Sequence, residues 1–199
     1  YGASPIADDT ILKAKEIMKC DLFQVYGLTE TAGAITILMP EDHDPEKGKL
    51  RSCGKALNSV EIKVVDDEGN EVKTGDIGEV ISKSPLNMKG YWNRPDATEE
   101  AIKDGWFYSG DAGFFDDEGY LYIHDRVKDM IVSGGENIYP AEVENALMSH
   151  PEIADAAVIG VPDDKWGESV KGFVVLQPDS SLDETEIISY TRTQIAGYK

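Results

Sequence analysis

A hydroxyl and a carboxylate stand side by side at Thr29 and Glu30, directly after a short apolar segment, residues 21–26, that has strand composition and ends at Gly27. Ligands of open α/β sheets bind beyond the carboxyl ends of strands. A strand that runs into a polar loop therefore predicts a ligand-binding loop at residues 27–31. Taken alone, Thr29 and Glu30 favour a helix cap with an acidic first turn.

Three further segments combine glycine or polar turns with charged side chains: residues 105–111, 125–129 and 133–144. Each has a plain structural interpretation when it is taken alone. Asp111 would be a turn aspartate, Arg126 a surface arginine paired with its neighbour Asp125, and residues 133–137 a hairpin turn. Only their occurrence together in one chain favours a functional interpretation.

The composition is that of an ordinary globular protein, with 199 residues, 41% hydrophobic and 29% charged. The formal net charge of −19 argues against nucleic-acid and anionic-membrane binding, because both need a positive surface. A nest of N–H groups can still hold a phosphate on an acidic protein. Cys20 and Cys53 have no metal or disulfide spacing, so we expect a reducing cytoplasm. No apolar run reaches transmembrane length, so no integral membrane segment is expected.

The elements that would position these residues begin as the end of an α/β sheet layer. Ser4 and Pro5 start a helix that continues to Met18, and the strand at 21–26 follows it. Residues 50–125 are β-rich, with strands predicted at 60–65, 78–84, 106–108, 113–115 and 120–123 and a short helix at 95–102. Short strands joined by acidic glycine turns predict a small barrel or sandwich.

The pattern changes after Arg126. A short strand at 129–132, a tight loop at 133–137, a helix opened by Pro140, strands at 154–161 and 170–176, and a helix from Leu182 follow in turn. This order is typical of a small α+β domain. We therefore divide the chain into residues 1–126, with a β-rich subdomain at about 50–125, and residues 127–199, with a hinge at 126–128.

Six segments in this order closely resemble motifs of the adenylate-forming, or AMP-binding, superfamily, which includes acyl-CoA synthetases, luciferases and peptide-synthetase adenylation domains. They are residues 24–31 (QVYGLTET), 90–95 (GYWNRP), 105–111 (GWFYSGD), 125–129 (DRVKD), 133–144 (SGGENIYPAEVE) and 164–168 (DKWGE). The resemblance covers essentially the whole chain and is nearest to long-chain fatty-acid–CoA ligases. It implies that residues 1–126 are the C-terminal part of the AMP-binding domain, and residues 127–199 a truncated C-terminal domain.

The resemblance implies a ligase that uses ATP, Mg²⁺ and coenzyme A. A carboxylic acid and ATP form an acyl-adenylate and pyrophosphate, and the coenzyme A thiol then displaces AMP. Thr29 and Glu30 are the implied catalytic residues. The Thr29 hydroxyl contacts the α-phosphate, and Glu30 holds Mg²⁺, a hard cation that prefers carboxylate oxygen.

A further set of residues is implied to bind the nucleotide. Tyr26 stacks on the adenine, Gly27 allows close approach of the backbone, and Asp111 accepts hydrogen bonds from the ribose hydroxyls. The remaining members of the set are Gly2, Ala3, Ile123 and Arg126. For residues 2–4, a plain turn before a helix stays an equal alternative.

The second half of the chain is implied to serve thioester formation. Lys128 is the hinge about which family members turn the C-terminal domain between two arrangements. Gly134, Gly135 and Glu136 border the pantetheine tunnel of coenzyme A, where glycine lets the backbone pass close to a thin ligand. Trp166 is interpreted as a packing residue, with a contact to the nucleotide part of coenzyme A as the alternative.

Two elements of the family are expected outside these residues. The phosphate loop lies upstream in the family, and the catalytic lysine lies downstream of Lys199, so that role is not given to Lys199. We therefore expect the 199 residues alone not to adenylate a substrate.

Three functions are compatible with these residues. The first is a fatty-acid–CoA ligase of lipid metabolism. The second is a relative that passes its adenylate to a carrier protein or an oxygenase, although the loop at 134–137 favours coenzyme A. The third is a non-catalytic nucleotide-binding module. The expected partners are the acid, ATP and coenzyme A, with a homo-oligomer left open.

Overall fold

The computed structural model describes residues 1–3, 6 and 8–199. The described chain forms two compact units, Tyr1–Ile123 and His124–Lys199. The division falls a few residues before the hinge expected at 126–128, whose position stays a prediction. The helix start expected at Ser4 and Pro5 lies outside the described residues.

The first unit opens with one helix and a three-stranded sheet. Its elements are α1 (Asp8–Met18), β1 (Gln24–Leu28), β2 (Gly33–Leu38) and β3 (Lys55–Ala56), and the strand order is β1-β2-β3. Gly2 forms a parallel bridge with Val25, and β1 and β2 are antiparallel. β1 continues one residue beyond the predicted end at Gly27, and β2 is a strand that the sequence analysis left out.

A five-stranded antiparallel sheet makes up the rest of this unit. Its elements are β4 (Glu61–Val65), β5 (Gly78–Lys83), α2 (Pro95–Ala101), β6 (Ile102–Lys103), β7 (Trp106–Phe115) and β8 (Leu121–Arg126). The last three residues of β8, from His124 onward, are counted in the second unit. The strand order is β4-β5-β7-β6, and β8 also pairs with β7. Cys53, Val64, Val80 and Leu121 form its buried core. The predicted β-rich segment and its short helix are confirmed.

β7 is one continuous strand, so the prediction of separate strands at 106–108 and 113–115 was wrong. The pairing of β5 with β7 shifts register between Glu79 and Ile81, which marks a bulge. Gly110 adopts a φ of +71° at this point. Because glycine tolerates that conformation, the strand bends here without ending.

The second unit is an α+β domain whose sheet order is β10-β9-β12-β11. Its elements are β9 (Ile131–Ser133), β10 (Glu136–Ile138), α3 (Pro140–Met148), β11 (Ile153–Asp163), β12 (Gly167–Leu176) and α4 (Glu184–Gln194). Its buried core comprises Ile131, Ile138, Val143, Leu147, Ile153 and Val158. The loop predicted at 133–137 is shorter than expected, because Glu136 and Asn137 already belong to β10. The predicted fold class, α/β followed by a β-rich part and a small α+β domain, is confirmed.

Candidate functional site

Gly27 lies where the backbones of β1 and β2 pass close to each other. A Cβ at this position would collide with the main-chain carbonyl of Gly33 on the neighbouring strand. The β1–β2 pairing also shifts register between Tyr26 and Gly27. A side chain cannot be accommodated unless the two strands separate, so glycine is required here by packing.

The two threonines in the turn after β1, Thr29 and Thr31, differ in how deeply they are buried. Thr31 is 1% exposed, and its hydroxyl lies within hydrogen-bonding distance of the Leu28 N–H, the Leu28 carbonyl and the Gly33 carbonyl. Thr29 is exposed and begins a three-residue 3₁₀ turn whose N-cap is Leu28. Within the described part of the chain, the Thr29 hydroxyl has no hydrogen-bond partner. Thr31 therefore builds the turn, and the interpretation of Thr29 as a helix cap does not hold.

Glu30 is held by a segment that lies far from it in sequence. The Tyr91 hydroxyl donates to Glu30 Oε1 at 2.9 Å, and the Met88 N–H donates to the Glu30 carbonyl at 2.6 Å. Burial and, secondarily, the hydrogen bond to Glu30 raise the pKa of Tyr91 above its usual value, so Tyr91 remains the donor. The carboxylate is thus fixed through one of its two oxygens.

Tyr26 and Asp111 meet across the first unit. The Tyr26 hydroxyl donates to Asp111 Oδ2 at 2.6 Å, and Asp111 is 5% exposed. Burial, reinforced by the neighbouring Asp111 carboxylate, raises the pKa of Tyr26 far above its usual value. The phenol therefore stays protonated and orients the carboxylate. Tyr26 also packs against the buried core that includes Val64 and Val80.

The bulge of β7 places Asp111. The Ser109 hydroxyl donates to the Val80 carbonyl at 2.6 Å and accepts from the Asp111 N–H at 3.1 Å. The Gly110 N–H donates to the Glu79 side chain at 2.8 Å. Asp111 is thus fixed through its backbone as well as through Tyr26, which is an arrangement suited to presenting an acceptor in a defined direction.

The other nucleotide residues predicted in the first unit occupy distinct positions. Gly2 lies against Val25, where a Cβ would collide with the Val25 carbonyl, and Ala3 has a φ of 70°. Ile123 is partly buried against the core that includes Leu121. None of these positions by itself defines a nucleotide contact, so the three assignments stay predictions.

The predicted hinge residues, Arg126 and Lys128, are exposed and belong to the second unit. The neighbouring Asp125 accepts hydrogen bonds from the N–H groups of Arg126 and Ala141, each at 2.8 Å, and so caps the start of α3. Lys128 lines a cleft of about 440 Å³ together with Asp125, Asp129, Pro140, Glu144 and Glu168.

The glycine turn of the second unit joins β9 to β10. Gly134 and Gly135 have φ values of +61° and +88°. These values suit a two-residue hairpin turn of glycines. The Gly134 N–H donates to the Trp166 carbonyl at 2.8 Å, and a Cβ at Gly134 would lie 2.8 Å from the Trp166 ring. A Cβ at Gly135 would have no neighbour within 4 Å among the described residues. One glycine is therefore packed and the other is open.

The Lys199 side chain forms an ion pair within the second unit. Its ammonium contacts both carboxylate oxygens of Glu142, each at 2.6 Å. Glu142 lies in the first turn of α3. The expectation that Lys199 is not the catalytic lysine stays a prediction.

The structure thus joins predicted residues to partners that the sequence analysis did not assign. Asp111 forms hydrogen bonds with Tyr26 and Ser109, and Glu30 forms hydrogen bonds with Tyr91 and Met88. The segment at residues 90–95 was the available signal for Tyr91. The described residues contain no group of three or more His, Cys, Asp or Glu side chains that could hold a metal ion. None of the described helices is both long and apolar enough to cross a membrane.

Comparison with known protein families gives two matches. The family described as "AMP-binding enzyme" matches residues 1–92, and "AMP-binding enzyme C-terminal domain" matches residues 142–199. Fatty acid–[acyl-carrier-protein] ligase ScoC of Streptomyces coeruleorubidus is 41% identical over 100% of the chain. Long-chain-fatty-acid–CoA ligase FadD13 of Mycobacterium tuberculosis is 42% identical over 100% of the chain. The chain covers 38% of the length of each.

Among solved structures, o-succinylbenzoate CoA synthetase MenE of Bacillus subtilis, in complex with the acyl-adenylate OSB-AMP, superposes with a TM-score of 0.90 at 41% identity. The match covers 100% of this chain and 40% of MenE. The same enzyme has been solved with ATP and a magnesium ion, with a TM-score of 0.89. The chain thus spans about two fifths of the length of the proteins that it matches.

Proposed function

This chain belongs to the AMP-binding enzyme family, and on that premise we propose that it is part of an ATP-dependent carboxylate–CoA ligase acting on a fatty acid. The observation that carries the proposal is the hydrogen bond between Tyr26 and Asp111. Tyr26 lies on β1, which leads directly to Thr29 and Glu30, and Asp111 lies on β7. Asp111 supplies a fixed acceptor, Thr29 an exposed hydroxyl and Glu30 an anchored carboxylate. These three groups suit the hydroxyls of a ribose, a phosphate oxygen and a divalent cation, in that order.

The spacing of these groups suits one mononucleotide. Tyr26 and Thr29 are three residues apart, so their Cα atoms lie at most about 10 Å apart at ~3.3 Å per residue. Ligand pockets of about 300–1,000 Å³ are roughly 7–10 Å across. A carboxylate offers two acceptor oxygens, which suits the two neighbouring hydroxyls of a ribose.

Glu30 fits a magnesium ion by the chemistry of its donor set. Mg²⁺ in nucleotide sites is bound by one or two carboxylates together with phosphate oxygens and waters, so a single carboxylate suffices. When bound, the ion offsets the phosphate charge that builds up during adenylation. The part of the protein is to hold the Glu30 carboxylate in place. MenE, which is similar to this chain, has been solved with ATP and magnesium.

The second unit is proposed to serve the transfer to coenzyme A. Lys128 would act as the hinge, with Arg126 beside it reaching the nucleotide. Gly134, Gly135 and Glu136 would border the pantetheine arm. The open side of Gly135 supports this assignment, because a backbone without a Cβ lets a thin ligand approach closely. The cytoplasmic location expected from the cysteines is part of the same proposal.

A second candidate differs only in the acceptor of the acyl group. ScoC, which is named as a ligase for an acyl carrier protein, is 41% identical to this chain over its whole length. A carrier protein presents its acyl group on a pantetheine arm of the same chemistry as coenzyme A. The glycine turn would therefore serve either acceptor.

The test is product analysis of the protein expressed from its whole gene. Fatty acids of graded chain length are supplied with ATP and Mg²⁺, and either coenzyme A or a loaded carrier protein is added as acceptor. An acyl-CoA thioester with release of AMP and pyrophosphate supports the leading proposal, and acyl transfer only to the carrier supports the second. Tight AMP binding without any turnover would refute both and leave a non-catalytic module.

A further inference from the structure

Glu30 and Tyr91 belong to different parts of the chain, yet their side chains meet. Tyr91 follows Gly90 in the segment between β5 and α2, and its hydroxyl donates to Glu30 Oε1 at 2.9 Å. Among the described residues, Glu30 Oε2 accepts no hydrogen bond. One oxygen of the carboxylate is therefore anchored, and the other can face a ligand.

The segment that carries Tyr91 is itself fixed at three points. The Tyr91 N–H donates to the Thr98 hydroxyl at 2.9 Å, and that hydroxyl donates to the Arg94 carbonyl at 2.8 Å. Gly90 has a φ of +150°, and a Cβ there would lie 2.7 Å from Thr98. The Met88 N–H bonds the Glu30 main chain at 2.6 Å. Because both the backbone and the carboxylate of Glu30 are held, its side chain has a defined direction.

We propose that Tyr91 is a positioning residue that orients the Glu30 carboxylate toward a divalent cation on the nucleotide phosphates. The inference rests on the proposed role of Glu30 in holding that cation. Ligating carboxylates are commonly hydrogen-bonded by residues behind them, and loss of such a partner typically lowers metal affinity by about 10- to 100-fold. Tyr91 is 38% exposed, and its contact with the Glu30 carboxylate is made by its hydroxyl, so the hydroxyl is the group to remove.

The decisive variant is Tyr91→Phe, which removes only the hydroxyl. Mn²⁺ binding in the presence of a non-hydrolysable ATP analogue is followed by electron paramagnetic resonance, using the protein from the whole gene. We expect the Mn²⁺ dissociation constant to rise about 10-fold. AMP affinity measured without divalent cation should stay unchanged, whereas a general disturbance of the fold would lower both affinities.

Tyr190→Phe is the matched control, because its hydroxyl also lies 2.9 Å from a side-chain partner, Ser149, in the second unit. It should leave Mn²⁺ affinity unchanged. Thr98→Val, which loosens the segment behind Tyr91, should weaken Mn²⁺ binding less than Tyr91→Phe does.

Glu30→Gln separates failure of this inference from failure of the proposed function. If Glu30→Gln weakens Mn²⁺ binding and Tyr91→Phe does not, the positioning role is overturned and the role of Glu30 stands. If Glu30→Gln leaves Mn²⁺ affinity at the wild-type value, both the cation role of Glu30 and the inference built on it fall. Equal loss of AMP and Mn²⁺ affinity in Tyr91→Phe would also overturn the positioning role.

Discussion

The strand-and-turn site of the first unit and the glycine turn of the second are held in place by different means. In the first, Tyr26, Asp111 and Glu30 are fixed by side-chain hydrogen bonds that reach across the unit. In the second, Gly134 and Gly135 are defined by positive φ values and by one aromatic neighbour, Trp166. The first presents oriented side chains, and the second presents bare backbone.

This difference suits the two steps of the proposed reaction. A nucleotide that must stay bound through both steps benefits from groups that are oriented before it arrives, because no reorganisation is then needed. A pantetheine arm enters only for the second step and needs clearance more than directed hydrogen bonds. Variants in the two regions should therefore affect different properties of the protein.

The largest effect is expected from Asp111→Ala. Hydrogen bonds to charged groups are worth about 1.5–3 kcal/mol each, so losing two ribose contacts should lower AMP affinity about 100-fold or more. Titration calorimetry with AMP measures this directly. Asp117→Ala, in the exposed turn between β7 and β8, is the matched control and should bind AMP normally. Wild-type affinity in Asp111→Ala would remove Asp111 from the nucleotide site.

Gly27→Ala should destabilise its surroundings more than Gly135→Ala does. A Cβ at Gly27 meets the Gly33 carbonyl, and overpacking of this kind costs about 1–3 kcal/mol. Gly135 has open space, so alanine there should incur only the strain of its φ of +88°, about 1 kcal/mol. Native-state hydrogen exchange of β1 and β2, compared with β9 and β10, gives both values. Equal losses would erase the distinction between a packed and an open glycine.

Gly134→Ala should slow thioester formation about 10-fold while adenylation, followed by pyrophosphate exchange, keeps its rate. The added Cβ would lie 2.8 Å from the Trp166 ring, so the turn or the ring must move. Gly197→Ala is the matched control, because a Cβ there has no described neighbour within 4 Å. Equal slowing of both steps by Gly134→Ala would place the turn outside thioester formation.

The sequence alone predicted the elements well wherever the signal was local. Periodicity and turn residues defined α2, β4 and β5, and the motif segments indicated the family before any coordinates. The bulge in β7 was missed, because a glycine such as Gly110 suggests the end of a strand. Its hydrogen bond to the Glu79 side chain, which holds the bulge in place, is visible only in the structure. β2 was left out, although five of its six residues are apolar or glycine.

The partners within the site could not be predicted, because they depend on long-range register. Tyr26 and Asp111 are 85 residues apart, and Glu30 and Tyr91 are 61 apart. No local sequence pattern indicates such pairs. The motifs did predict that Tyr26, Glu30 and Asp111 are site residues, but not which side chains contact them. Thr31 shows the same limit, since only its burial distinguishes its role in the turn from that of the exposed Thr29.

The smallest effect concerns His124, a half-buried imidazole at the start of the second unit. Burial lowers the pKa of His124 below its usual 6.5, and Lys199 acts in the same direction, although Glu142 and Asp125 oppose the shift. Because the folded state disfavours the protonated ring, the stability linked to His124 is complete above pH 6.5 and is lost as the pH falls through the folded-state pKa. NMR titration of the imidazole should therefore give a midpoint below 6.5. His124→Gln should reduce the loss of stability between pH 7 and pH 5 by under ~1 kcal/mol. A midpoint above 6.5 would mean that the carboxylates outweigh burial, and stability would then change with pH in the opposite direction.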